Sequence, residues 1–162
     1  MNYLSMTKAE VANGGGVRVA LWVTGCEHHC KNCHNPESWN CNTGKLFTED
    51  DLHRLLNELS LPYYDGLTLT GGDPLHPSNI KCIEYIVEKV KTVFPNKTIW
   101  CYTGCKFEDI KTLNLMKYVD VLIDGLYIDE LRDITLAFKG SSNQRVIDVQ
   151  KSLKENQIIL YN

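Results

Sequence analysis

Three of the chain's seven cysteines fall as Cys26-Glu27-His28-His29-Cys30-Lys31-Asn32-Cys33, a C-x3-C-x2-C run directly behind an apolar stretch. Three thiolates closing on one centre suit an iron–sulfur cluster with one iron left without a protein ligand, because cubane clusters normally take four cysteines. An open coordination position is where a small molecule can bind and react, the logic that separates catalytic from structural zinc. The competing reading is a structural zinc on Cys30 and Cys33 with His28, His29 or His34. Zinc knuckles usually come as two paired half-sites, and no second C-x2-C occurs in the chain. Spacing therefore favours the cluster and leaves zinc as the alternative. Disulfides are the weaker third option, since the cysteine count is odd and no charged and apolar N-terminal signal segment is seen. The thiols are accordingly read as reduced and the location as cytoplasmic.

Such a centre needs rigid elements to hold it, and the chain alternates strand-like with helical patterns. Val17–Thr24 is β-branched and apolar, and Leu67–Thr70, Lys97–Tyr102 and Val119–Asp124 read as three further strands. Thr48–Leu59 offers an N-cap Thr, acids in its first turn and Leu at helical intervals. Ser78–Phe94 puts Ile83, Ile86, Val87, Val90 and Phe94 on one helical face and stops at Pro95. Lys106–Met116 reads as a third helix, and Ile134–Phe138 and Gln157–Tyr161 as short strands. A β-α-β-α order implies an α/β fold with a parallel sheet and right-handed crossovers, either an open doubly wound sheet or a partial (β/α) barrel.

Both architectures bind ligands at the carboxyl ends of their strands. The cysteine run starts there after the first strand. Gly71-Gly72-Asp73-Pro74 follows the second, Tyr102-Thr103-Gly104 the third, and Asp124-Gly125 closes the fourth. Four unusual clusters thus fall on one predicted edge. Two glycines let backbone approach a ligand closely, and Asp73 adds a carboxylate suited to an ammonium group. A plain strand-to-helix turn, with Ser78 capping the next helix, is the alternative use of the same residues.

Composition bounds the rest. The 162 residues suffice for one domain, 1–162, with a continuous core. Hydrophobic residues at 43% and charged residues at 23% are ordinary for a globular chain. No apolar run approaches a membrane span. A formal net charge of −3 and a pI near 5.9 give no basic footprint for nucleic acid. No G-x-G-x-x-G follows any strand, so electrons for a redox centre must come from outside.

Taken together, the cysteine run after a first strand and the Gly-Gly-acid-Pro turn after the second resemble the radical S-adenosylmethionine superfamily. Six further stretches narrow this: Asn13-Gly14-Gly15-Gly16, Trp22 to Cys26, Leu67 to Leu75, Lys106 to Ile110, Tyr118 to Gly125, and Gly140 to Arg145. They are similar to the family of anaerobic ribonucleoside-triphosphate reductase-activating proteins, which are glycyl-radical activases. The resemblance spans roughly residues 10 to 146. It implies a single parallel-sheet partial (β/α) barrel in which Cys26, Cys30 and Cys33 hold a [4Fe-4S] cluster and S-adenosylmethionine chelates the fourth iron. Reductive cleavage would give methionine and a 5′-deoxyadenosyl radical, which abstracts hydrogen from a glycine Cα in the C-terminal loop of the large reductase subunit. The implied partners are that reductase and reduced flavodoxin or a similar donor, with a homodimer inside a heterotetramer as the assembly. An open, incomplete barrel suits a substrate that is a protein loop.

By the same resemblance, Asn32, Cys33 and His34 lie where family members approach the adenine, with Asn32 at a position often aromatic and His34 as a substitute ring; a solvated loop histidine is the alternative for His34. Gly71, Gly72 and Asp73 match the turn that receives the methionine amino group. Asp124 matches a strand-end acid used near the methionine or a cation, with a helix-cap or turn role as the alternative. Gly15 replaces a usual proline, which implies a more mobile loop, and Lys139 replaces a usual arginine, which implies loss of a bidentate contact. Of the remaining cysteines, Cys82 and Cys101 read as core, and Cys101-x3-Cys105 lacks a third ligand for a second cluster. Two other functions stay open: activation of a different glycyl-radical enzyme such as pyruvate formate-lyase, and a zinc-stabilised binding module with no enzyme activity.

Overall fold

The computed structural model describes residues Met1–Asn162. Its framework is one seven-stranded sheet, built from β1 (Asn2–Glu10), β2 (Arg18–Val23), β3 (Lys45–Leu46), β4 (Gly66–Gly71), β5 (Thr98–Tyr102), β6 (Val121–Asp124) and β7 (Arg145–Asp148). The strand order is β3-β1-β2-β4-β5-β6-β7. The central strands β2, β4, β5 and β6 pair in parallel, as their alternation with helices demands. The flanks do not follow that pattern. β1 and β3 are antiparallel on one side, and β7 is antiparallel to β6 on the other. The sheet is therefore mixed, where a parallel one was expected.

Alternation along the strands sorts side chains onto two faces. Val19, Leu21, Leu67, Leu69, Ile99 and Leu122 join the main core with Leu55 of α1 (Glu49–Leu59), Ile86 of α2 (Ile80–Val93) and Val149 of α4 (Val149–Glu155). Trp100, Val121 and Ile123 form a separate small core on the opposite face, with Tyr102, Phe138 and Val146 packed against it. Cys101 lies in the main core and Cys82 packs against it, as their positions suggested.

Sequence signals set α1 and α2 closely. Thr48 caps α1 in a full capping box with Asp51, and α2 buries the predicted Ile83, Ile86, Val87 and Val90. Its N-cap is Asn79 rather than Ser78, and the Asn79 amide bonds the carbonyls of Thr24 and Asp73 instead of capping. The predicted helix over Lys106–Met116 is broken: α3 covers Phe107–Ile110, Leu113 takes an extended backbone, and a 3-10 turn follows at Asn114–Lys117. Ile134–Phe138 is not a strand. It is a loop laid over the second face, started by an Asp133 turn to the Thr135 amide (2.8 Å) and carrying Phe138 at φ 64°. Gln157–Tyr161 makes one bridge, Leu160 to Ile147, instead of a strand.

Candidate functional site

The carboxyl ends of β2, β4, β5 and β6 bring Gly25, Gly72, Thr103 and Gly125 to one edge of the sheet. From β2 the chain enters a loop that closes on itself: Gly25 donates to the Ser38 carbonyl at 2.7 Å and Cys26 to the Trp39 carbonyl at 3.0 Å. Inside the ring, Cys33 donates to the Cys30 carbonyl at 3.1 Å, and the Asn35 amide donates to the Cys33 sulfur at 3.5 Å. His29 and Asn32 sit at φ 47° and 56°, the left-handed positions that make the loop curl tightly. The His29 ring meets Trp39 edge-on at 4.7 Å.

The Gly71-Gly72-Asp73 turn docks against this loop through backbone alone. Gly71 has φ 104°, and a Cβ on Gly72 would stand 2.7 Å from the Gly25 carbonyl oxygen and 3.0 Å from that of Ser38. That closeness lets the Asp73 amide donate to Gly25 at 2.8 Å. Only glycine permits such an approach at these two positions.

Asp73 is buried and fully engaged. Its Oδ2 accepts from Thr103 Oγ1 (2.9 Å) and the Gly104 amide (3.2 Å) and contacts His28 Nε2 at 2.6 Å, while Oδ1 accepts from the Leu75 amide at 2.8 Å. His28 fits because position 104 is glycine: a Cβ there would lie 2.4 Å from its ring. Hydrogen bonds to Asp73 and then to Cys105 hold the His28 imidazole as a cation, its pKa pushed up to about 10 against the opposing effect of burial. His28, Asp73 and Cys105 form a group of three with ligand atoms within 4.8 Å of one another.

The donor set of the run fits an iron–sulfur cluster. All three thiols are half-buried and free. Burial pushes the Cys26 thiol up, against a backbone hydrogen bond from His28 that pulls it down.

The remaining predicted residues separate into two groups. His34 is exposed and, with Cys30, Asn32, Cys33, Tyr102 and Lys139, lines a cavity of about 720 Å³ between the cysteine loop and the 127–140 segment. The side chain of Asn32 donates to Asp129 (2.7 Å), which lines the same cavity, beside a Lys31–Glu130 pair at 2.6 Å. Asp124 is buried beneath a second cavity of about 760 Å³ that also touches His28 and Cys105. Its carboxylate accepts from the Phe107 amide at 2.8 Å, at the start of α3, and is clasped by Arg145 through Nε at 2.9 Å and through Nη2. The same guanidinium pairs with Glu108 and lowers that carboxyl to about 2. Asp124 thus accepts from the first amide of α3.

Two features were not legible in the sequence. His28 and Cys105 flank Asp73 although 77 residues of chain separate them, and only the adjacency of β2, β4 and β5 joins them. Arg18 is fully buried in β2 and donates to Thr68 Oγ1 (2.8 Å), Gly15 O (3.0 Å), Thr98 Oγ1 (2.9 Å), Leu67 O (2.8 Å) and Thr98 O (2.7 Å), with Trp100 under its guanidinium. Burial lowers its pKa to about 10. Through Gly15, and through the Thr68 hydroxyl on Asn13 O at 2.7 Å, this residue pins the glycine loop at the cavity wall. Lys139 makes a single bond, to Gln144 O at 2.7 Å.

A family described as a 4Fe-4S single cluster domain matches residues 12–147. Curated relatives carry one name, anaerobic ribonucleoside-triphosphate reductase-activating protein. The one from Enterobacteria phage T4 is 50% identical over 146 residues, covering 90% of this chain and 93% of its own. Those from Haemophilus influenzae and Escherichia coli K12 are 42% and 37% identical, covering 89% and 90% of this chain and 96% and 97% of theirs.

Proposed function

The chain belongs to the family of anaerobic ribonucleoside-triphosphate reductase-activating proteins, and we propose that it installs a glycyl radical on that reductase by radical S-adenosylmethionine chemistry. The observation that carries this reading is the docking of the Gly71-Gly72-Asp73 turn onto Gly25, the residue before the first thiol of the run, by the 2.8 Å bond from the Asp73 amide. A cofactor-binding turn and a cluster-binding loop are thereby one rigid unit.

Cys26, Cys30 and Cys33 hold a [4Fe-4S] cluster in this reading. When bound, the cluster supplies the electron that splits the carbon–sulfur bond of S-adenosylmethionine into methionine and a 5′-deoxyadenosyl radical, which takes a hydrogen atom from a glycine Cα of the reductase. The protein's own residues position and shield. Gly71 and Gly72 leave backbone open to the methionine amino group, and Asp73 offers it a carboxylate. Because His28 now contacts that carboxylate, an incoming ammonium group replaces or shares the imidazole's place. The loop around Asn32, Cys33 and His34 receives the adenine at the cavity of about 720 Å³. Backbone groups of Asn32 serve there, since its side chain is committed to Asp129. Asp124 supports the site through α3 and Arg145.

We read the sheet as the superfamily's partial barrel, the whole chain 1–162 acting as one domain, with loops over the second face that leave room for a protein loop as substrate. The protein works in the cytoplasm, receives electrons from reduced flavodoxin or a similar donor, and assembles as a homodimer within a heterotetramer with the reductase. No helix is long and apolar enough to cross a membrane.

The test is electron paramagnetic resonance of the anaerobically reconstituted, dithionite-reduced protein with and without S-adenosylmethionine, followed by incubation with the reductase. A cluster signal that changes shape with S-adenosylmethionine, and a glycyl radical on the reductase, are the expected results. Stoichiometric zinc without iron or sulfide would overturn the reading. A radical formed on pyruvate formate-lyase and not on the reductase would reassign the partner.

A further inference from the structure

We propose that Asn35 is a positioning residue for the cluster, its side-chain amide donating a hydrogen bond to a cluster sulfide or to the Cys33 sulfur and thereby raising the reduction potential. This rests on the cluster reading above.

Only two buried side-chain polar atoms go without a partner, Asn35 Nδ2 and Tyr102 Oη. Buried donors are nearly always satisfied, so an orphan two residues beyond the last thiol of the run, on a residue whose backbone N–H already lies on the Cys33 sulfur, calls for an acceptor. Asn35 is 8% exposed. Its backbone groups are both engaged. The carbonyl accepts from the Ser38 amide (3.1 Å) and Ser38 Oγ (2.7 Å), and the backbone N–H already points at Cys33 Sγ.

Its side chain also declines the local task open to it. Asn35 is the N-cap of the Pro36–Ser38 3-10 turn, a position where asparagine ordinarily caps with its side chain, yet no such bond forms. The Nδ2 atom itself is buried. What the loop lacks is an acceptor, and sulfide and thiolate sulfur are acceptors. Donors aimed at cluster sulfurs stabilise the more negative, reduced state and so raise its potential.

The experiment is a redox titration of full-length reconstituted protein without S-adenosylmethionine, read by electron paramagnetic resonance of the reduced cluster, for wild type, Asn35→Leu and Asn35→Asp. Iron and sulfide content are measured alongside. At one applied potential the reduced-to-oxidised ratio is expected to fall about tenfold in Asn35→Leu, equivalent to about 59 mV for one electron, and further in Asn35→Asp, which places an acceptor against sulfur. Pulsed resonance of wild type with 15N-labelled asparagine amides should also show nitrogen coupling, retained in Asn32→Ser and lost in Asn35→Leu. An unchanged ratio at full iron and sulfide content overturns the proposal. So does wild-type cluster without amide coupling, a result that holds even if the variants fail to fold and that leaves the cluster reading standing. Zinc in place of iron in wild type removes both.

Discussion

On the helix-covered face of the sheet, Val19, Leu21, Leu67, Leu69, Ile99 and Leu122 are wholly buried in one apolar cluster. One residue along each strand, the opposite face buries Arg18, Thr68 and Thr70 beside Trp100, Val121 and Ile123. The first face is held by area and shape, which many side chains share. The second depends on hydrogen bonds that have single donors: remove Arg18 and five acceptor contacts lose their partner at once. Loops rather than helices cover this second face, and Asn13 at the start of the 13–16 loop and the 133–140 loop line the cavity next to the thiols. A face covered by loops is not sealed with aliphatic packing, so its order comes from polar groups satisfied one by one.

The comparison yields predictions of graded size. The largest concerns function without stability: Cys33→Ser should abolish iron and sulfide uptake and, with it, reductase activation. The metal-free chain should keep its thermal midpoint, because the thiol lies outside both cores. A matching loss of metal-free stability would mean that the loop also supports the fold.

Next comes the contrast between faces. Arg18→Leu should cost roughly 3 to 5 kcal/mol in urea unfolding, because buried carbonyls and hydroxyls are left unpaired. Leu69→Ala on the helix-covered face should cost roughly 2 to 4 kcal/mol. Only Arg18→Leu should also expose the 13–16 loop to faster hydrogen exchange. Equal exchange in the two variants would erase the proposed division of labour.

Gly72→Ala should cost roughly 1 to 3 kcal/mol by pushing the turn from Gly25 and Ser38. It should weaken S-adenosylmethionine binding at least tenfold in equilibrium dialysis of the reconstituted protein. Unaltered binding would separate the turn from the ligand.

The smallest effect lies far from the edge, at the start of α1. Asp51 is pushed up by burial, but the Thr48 amide, Arg54 and Tyr3 outweigh that and hold its carboxyl at about 2, below its ordinary 3.8. A depressed folded value contributes stability above pH 3.8 that is lost as pH falls through about 2. Acid unfolding should therefore show a loss on the order of 1 kcal/mol across that window, discounted for solvent screening, and Asp51→Asn should flatten it.

How much of this was legible varies with the range of the signal. The helices α1 and α2 announce themselves through Thr48 and through Ile83, Ile86, Val87 and Val90, because caps and periodicity are local. The four central strands follow from apolar runs of the right length. β1 escaped because it is half-buried and interrupted by two register shifts, so Asn2–Glu10 lacks clean alternation. Arg145–Asp148 is four residues long and reads as the end of a polar stretch until β6 lies beside it. Ile134–Phe138 looks like a strand by composition, yet its partner is the ring of Trp100, 4.9 Å from that of Phe138, and not another backbone.

The sequence by itself determined which atoms are available for chemistry: three thiols at C-x3-C-x2-C, a double-glycine turn with an acid, and strands long enough to carry both to one edge. Those are properties of residue type and spacing along the chain. Tertiary structure alone decided what each carboxylate faces. Asp73 meets His28, Thr103 and Gly104 from other strand ends, and Asp124 meets Arg145 from β7. A side chain's electrostatic partner is set by distance in space, which falls off over a few ångströms, whereas periodicity and spacing report only position along the backbone.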